Sequence, residues 1–200
     1  MTRIVGSARR ASWGTRRRAV AFFPLLALLG SLACGDDPFE LRWNADPDTV
    51  LLYSLAQPEL NLPSAFSFNS RTTVRVEAPA ATGTWDLALD TQEGALVFLP
   101  PGALGINSRA GIAMLSGLEF DDVREAPSDT AAYAFDQGVP VSLGTVYVVQ
   151  TRQVTGQFGT TCVYFAKLEP LVTDLAEGTL EFEFDSNPVC NDPRLVPPED

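Results

Sequence analysis

Carboxylates are the one reactive side chain in good supply in this 200-residue chain, with 25 Asp+Glu, 14 Lys+Arg and no histidine. Glu119, Asp121, Asp122 and Glu125 crowd into one short stretch. Such a group suits calcium, a hard cation that takes several oxygen ligands, or a carboxylate pair working as acid and base. The spacing does not match an EF-hand loop, and a solvated loop at the edge of an acidic sheet accounts for all four. The expectation is therefore no metal site. Glu181, Glu183 and Asp185 alternate with Leu180, Phe182 and Phe184, which reads as the wet face of a half-buried strand. Asp86 beside Trp85 suits the lining of a sugar-binding cleft. The simpler reading puts Trp85 in the core and leaves Asp86 in solvent.

Other chemistries are excluded by composition. Without histidine there is no Ser-His-Asp or Cys-His arrangement, no imidazole metal ligand and no histidine general base. Lys167 is the only lysine. The chain has no Ser-x-x-Lys, Gly-x-Ser-x-Gly, P-loop or dinucleotide fingerprint. Gly102-Ala-Leu-Gly105 belongs to a proline-led turn rather than to a phosphate cradle. No cofactor is expected, and no catalytic residue is assigned.

The three cysteines divide by context. Cys162 and Cys190 form an even pair, 28 residues apart. In an oxidising compartment they are expected to form a disulfide. That bridge would fix the proline-rich tail Pro188–Pro198, which has little else to hold it. Two buried thiols or a metal pair are the alternatives, but the lack of histidine and of Cys-x-x-Cys spacing argues against zinc.

Cys34 stands elsewhere. Before it come six arginines with no acid, then the apolar run Ala19–Ala33. A basic region, an apolar stretch of about 7–15 residues and a small residue at the cut make a secretory signal. The run is short for a spanning helix, which needs about 20 apolar residues, and Pro24 interrupts it. Ser31-Leu-Ala-Cys34 resembles the lipobox of bacterial lipoproteins. The resemblance implies that Cys34 is acylated and becomes the first residue of the mature chain, giving an anchor of more than one acyl chain. Stable attachment needs at least two such signals. Gly35, in place of aspartate, implies the outer membrane. An ordinary signal peptide cut near Ala33, with Cys34 a bystander, is the competing reading. Ala19 stands where a twin-arginine signal has a large apolar residue, so Sec export is expected.

Without residues 1–33 the chain keeps 8 basic and 25 acidic residues, a net of −17. Such a surface repels nucleic acid and anionic headgroups. The expected partners are the membrane, through Cys34, and an envelope protein or small ligand. An apolar content of 46% supports a packed globule.

The elements after a tether at 34–47 read as β. Thr49–Leu55, Ala65–Phe68, Thr73–Glu77 and Gly83–Asp90 show period two, the last with Trp85, Leu87 and Leu89 on one face. Gly94–Leu99 should return as a hairpin across a Thr-Gln-Glu-Gly turn. Ala110–Leu115 and Ala131–Phe135 are weaker strands. Val139–Arg152, Thr160–Leu168 and Thr179–Asp185 are stronger. The best helical candidate is one turn near Pro100–Leu104 or Glu119–Glu125. About ten short strands predict an all-β, antiparallel sandwich-like single domain over 48–200.

Trp85-Asp-Leu-Ala88, Thr145-Val-Tyr-Val-Val-Gln-Thr151, Tyr164-Phe-Ala-Lys-Leu168 and Gly178-Thr-Leu-Glu-Phe182 together resemble the HmuY-type lipoproteins. The matching pieces cover about a quarter of the chain. The resemblance implies an all-β, lipid-anchored, haem-capturing protein of the outer membrane. That family's haem ligands are usually histidines, which are absent here, and Met114 is the one methionine after residue 33, so no ligand residues carry over. The leading expectation is a non-enzymatic binding or accessory module of the envelope. A carboxylate-pair hydrolase, such as a carbohydrate-active enzyme, and small-ligand or haem capture are the alternatives.

Overall fold

Alternation that strict has one stable outcome, a strand with one face in a core. In the computed structural model, which describes Trp43 and residues 46–197, strand β13 (Thr179–Ser186) buries Leu180, Phe182 and Phe184. Twelve strands precede it: β1 (Asp48–Tyr53), β2 (Ala65–Ser67), β3 (Thr72–Val74), β4 (Leu87–Gln92), β5 (Ala95–Leu99), β6 (Gly111–Ser116), β7 (Tyr133–Ala134), β8 (Val139–Pro140), β9 (Thr145–Gln150), β10 (Val154–Thr155), β11 (Thr161–Cys162) and β12 (Phe165–Asp174). The larger sheet has the order β1-β13-β12-β9-β6-β7 and the smaller β3-β2-β4-β5-β8, while β10 and β11 form a separate ribbon. Every pairing is antiparallel. The all-β, sandwich-like single domain read from the sequence is the observed fold.

The two sheets meet through their apolar faces. Leu168, Tyr147, Phe182 and Phe184 of the larger sheet pack with Phe66, Leu87, Leu89 and Phe98 of the smaller one. The aromatic rings meet edge to face, Phe66 with Phe184 at 4.8 Å and Phe98 with Tyr147 at 5.0 Å. Each outer face has its own cover. Phe120, Val123, Ala126 and Leu195 lie over Val146 and Val148. Trp85 packs with Ala65, Ala88 and Leu99 on the outside of the smaller sheet. Strand β9 is therefore buried on both faces, which is why Thr145–Val149 reads as a nearly unbroken apolar run.

The β4–β5 hairpin forms as expected. Glu93 and Gly94 both take positive φ, 52° and 80°, the backbone of a tight two-residue turn. Single 3-10 turns occupy Pro101–Leu104 and Phe120–Asp122. Val139–Arg152 breaks in two, because Gly144 turns the chain at φ 67° between β8 and β9. Ala131–Phe135 retains only two strand residues after a 3-10 turn. In β12 the register shifts between Pro170 and Val172. A bulge there lets the strand carry a proline that cannot donate to the ladder.

Two expectations need correction. Trp85 does not share a face with Leu87 and Leu89. Strand β4 begins only at Leu87, and Trp85 lies on the opposite side of the sheet. The alternation breaks at Asp86, whose Oδ2 accepts the Phe68 N–H at 2.9 Å and so ends the pairing with β2. The tail also has more than a disulfide to hold it. Asn187 donates to the carbonyls of Asp192 and Arg194, the Ala126 and Leu195 amides bond across to Pro193 and Arg124, and Leu195 is buried. Cys162 and Cys190 are indeed bridged, with their Cα atoms 5.1 Å apart.

Candidate functional site

Asp86 is fully buried, not solvated as the sequence reading had it. A buried carboxylate needs several donors to persist. Here Oδ2 accepts from Phe68 N, while Oδ1 accepts from the Arg152 backbone amide and from Arg152 Nη1, both at 2.9 Å. Ser67 Oγ also accepts from Nη1 at 3.1 Å. Burial pushes the Asp86 carboxyl above the ordinary carboxylate value, and Arg152 with the two amides pulls it part of the way back.

Arg152 is thus pinned on one side and open on the other. Its side chain retains 17% exposure. Its other guanidinium N–H groups bond to nothing among the described residues. The backbone beneath is equally fixed, because Thr151 exchanges hydrogen bonds with Tyr164 through its amide and hydroxyl. Arg152 faces a cleft of about 450 Å³ lined by Gly83, Asn107, Ser108, Arg109 and Gln153. A second depression of about 330 Å³ shares Ser108 and Arg109 and adds Thr130, Phe135 and Gln150. Gln150 Nε2 holds the Arg109 carbonyl at 2.9 Å, and Ser108 Oγ accepts from Ala110 N, so the loop that carries Arg109 is braced. The Arg109 side chain is exposed and makes no hydrogen bond among the described residues.

Neither depression is lined by a carboxylate among the described residues. In a domain this acidic, that arrangement favours an anion. It does not supply the two carboxylates a hydrolase needs on one cleft. Trp85 does not line the cleft either. It is wholly buried, and its Nε1 lacks a hydrogen-bond partner.

The clustered acids do something different from what their spacing suits. Glu119, Asp121, Asp122 and Glu125 are all exposed, and no group of three or more His, Cys, Asp or Glu among the described residues converges on a metal position. The backbone between them is the functional part. Lys167 Nζ is buried and donates to the carbonyls of Phe120 at 2.8 Å and Val123 at 3.2 Å, and it sits 4.4 Å from the centre of the Phe120 ring. The segment is a lid over the outer face of the larger sheet, latched by the only lysine. Burial lowers that lysine's pKa, which Asp185, Asp121 and Glu183 raise again.

Asp185 is also buried, contrary to its reading as part of a wet face. It pairs across the ladder with Lys167 and accepts a 2.7 Å hydrogen bond from Trp43 Nε1. Glu181 is exposed and Glu183 half-buried. Cys34, the apolar run and most of the tether lie outside the described residues. Among the described residues no helix is long and apolar enough to cross a membrane. Phe158 was not singled out from the sequence, yet it stands fully exposed at φ 57° in the loop joining β10 to β11.

These buried and half-buried acids predict a pH dependence. Asp86, Asp185 and Glu183 all have pKa values raised above the ordinary 3.8, 3.8 and 4.5, with burial the largest cause for each. A carboxyl whose pKa is raised by folding binds its proton more tightly in the fold. Stability therefore increases as pH falls from neutral through the raised values, and the gain levels off at the ordinary ones. Asp192 acts the other way, held low by Arg194, but its contribution is lost only below 3.8. Lys167 acts at the alkaline end. The urea midpoint is expected to rise as the pH is lowered from neutral toward the ordinary carboxylate values. A midpoint that falls as the pH is lowered from neutral contradicts the account.

No protein-family model matches the chain, and no similar curated protein or solved structure was found.

Proposed function

We propose that this chain is a lipid-anchored envelope protein whose all-β domain is a non-enzymatic binding module, with the Arg109–Arg152 cleft as its ligand site. The observation that carries the binding role is the rigid guanidinium of Arg152, held from below by a buried carboxylate and left open on the cleft side. Burying Asp86 is costly, and packing alone does not require it. Rigid presentation of a charged group is what a binding site gains from such an arrangement. The envelope address rests on the order of arginines, apolar run and Cys34, and the Cys162–Cys190 bridge suits the oxidising compartment that such an address implies. The anchor would be the acylated Cys34 in the outer membrane, with the domain on its periplasmic or outward side.

Two measurements test the two halves. Metabolic labelling with a fatty acid is expected to mark the native protein and to be lost completely in Cys34→Ala. Labelling that survives the substitution places the attachment elsewhere. For the cleft, capture from solubilised envelopes is compared between native protein and Arg109→Ala, whose exposed side chain the fold does not use. A ligand or partner retained equally by both puts the binding surface outside the cleft.

A further inference from the structure

The cleft's chemistry specifies its ligand more closely than the binding role alone. We propose that it is an oxyanion site, taking a carboxylate or phosphate group on Arg109 and Arg152 with the rest of the ligand against Phe135; this rests on the cleft being the binding site. Arg152 has committed Nη1 to Asp86 and Ser67. Its remaining N–H groups form the planar fork that matches two oxygens of a carboxylate or phosphate. The fork arrives with its conformational freedom already spent, because Asp86 holds both Nη1 and the backbone amide of Arg152, and Thr151 Oγ1 donates to its carbonyl.

Arg109 supplies the net charge. The charges of Asp86 and Arg152 cancel, so Arg109 makes the lining positive overall. The neutral neighbours Asn107, Ser108 and Gln153, which line the same cleft, carry donors as well. Two acids stand next to this lining along the chain: Asp129 turns its Oδ1 to the Ala131 amide, and Asp136, exposed beside Phe135, lines neither depression. The placement matters in a domain that repels anions elsewhere. Among the other described cations, Arg71 is paired with Asp48, Arg194 with Asp192, and Lys167 is buried, while Arg75 and Arg124 are exposed and line neither depression.

Phe135 sets the other half of the specificity. Its ring lies against Gly111, where an added Cβ would come within 2.5 Å of it, and it lines the depression that Arg109 shares. The ring is therefore fixed in position beside a cation. A bare inorganic ion would leave it unused, whereas an anionic group on an apolar or ring-shaped body would cover it. The ligand class is a small molecule or chain end that carries one oxyanion next to such a body.

The test is an amide NMR titration of the folded domain with inorganic phosphate, with citrate and with benzoate, each against sodium chloride at matched ionic strength. Saturable shifts are expected at Ser108, Arg109, Arg152 and Gln153, with benzoate also moving Phe135. Arg109→Ala should weaken the response about tenfold or more, and Arg152→Lys should weaken it while retaining the charge, because the fork is lost. A response to phosphate alone identifies a phosphoryl ligand, and one to citrate and benzoate alone a carboxylate. Shifts that chloride reproduces, or that survive Arg109→Ala unchanged, overturn the oxyanion site. If they are absent while Arg109→Ala still abolishes envelope capture, the cleft binds something uncharged, so the binding role stands and this inference fails.

Discussion

Asp86→Ala is expected to destabilise the domain by about 3 kcal/mol, near the low end of the range for breaking a buried ion pair. Truncation leaves the Phe68 and Arg152 amides without their acceptor, and the Arg152 guanidinium half-sealed with no counter-charge. The low end applies because Arg152 can swing partly into the cleft. Urea unfolding gives the number. A double-mutant cycle gives the cause. Replacing both partners together, Asp86→Leu with Arg152→Leu, removes the unpaired charge along with the pair, so the double variant should be more stable than Asp86→Ala alone. It should also stay folded while losing the anion response, which separates the pair's role in the site from its role in the fold. If Asp86→Ala unfolds within a few tenths of a kcal/mol of the native protein, Asp86 does not fix Arg152, and the rigid-fork argument falls with it.

The contrast between what the chain discloses and what it hides runs along one physical line. Leu180, Phe182 and Phe184 announce their burial through their neighbours two residues away, and the β4–β5 hairpin announces itself in Glu93-Gly94. Both signals are local. Asp86, Lys167 and Asp185 are polar residues that local rules send to the surface, yet each is buried by a partner far along the chain. Asp86 meets Arg152 across 66 residues, Lys167 meets Phe120 across 47, and Asp185 meets Trp43 across 142. No window of sequence contains both halves. The cleft was hidden for the same reason, since Arg109 and Arg152 belong to separate segments and neither carries a motif. One signal was available: cations are scarce after residue 33, so any two that meet deserve notice. The acidic cluster shows the opposite failure. Its side chains drew attention through their spacing, whereas the carbonyls of Phe120 and Val123 between them do the binding.

Removing the disulfide is expected to lower stability by a similar amount, about 3–4 kcal/mol, on the chain-entropy account of a bridge spanning 28 residues. The loop it closes contains the whole of β12 and β13, two neighbouring inner strands of the larger sheet. In the unfolded chain, cutting the bridge frees that whole segment. In the folded protein little should move, because Asn187, Leu195 and the amides of Ala126 and Asn191 hold the tail independently. The β10–β11 ribbon is the exception. It has only two residue pairs, and Gly156 lies so close to the Cys162 sulfur that an added Cβ would be 2.3 Å away. Cys162→Ala with Cys190→Ala should therefore lower the urea midpoint, loosen the loop that carries Phe158, and leave the amide shifts of Arg152 in place. Arg152 is secured by Asp86, with Thr151 tied to Tyr164, and neither contact passes through sulfur. Gel mobility and a midpoint that do not change on reduction would mean the two thiols are not bridged in the native material. A lowered midpoint accompanied by loss of the Arg152 signals would mean that the ribbon, and not the buried carboxylate, holds the site.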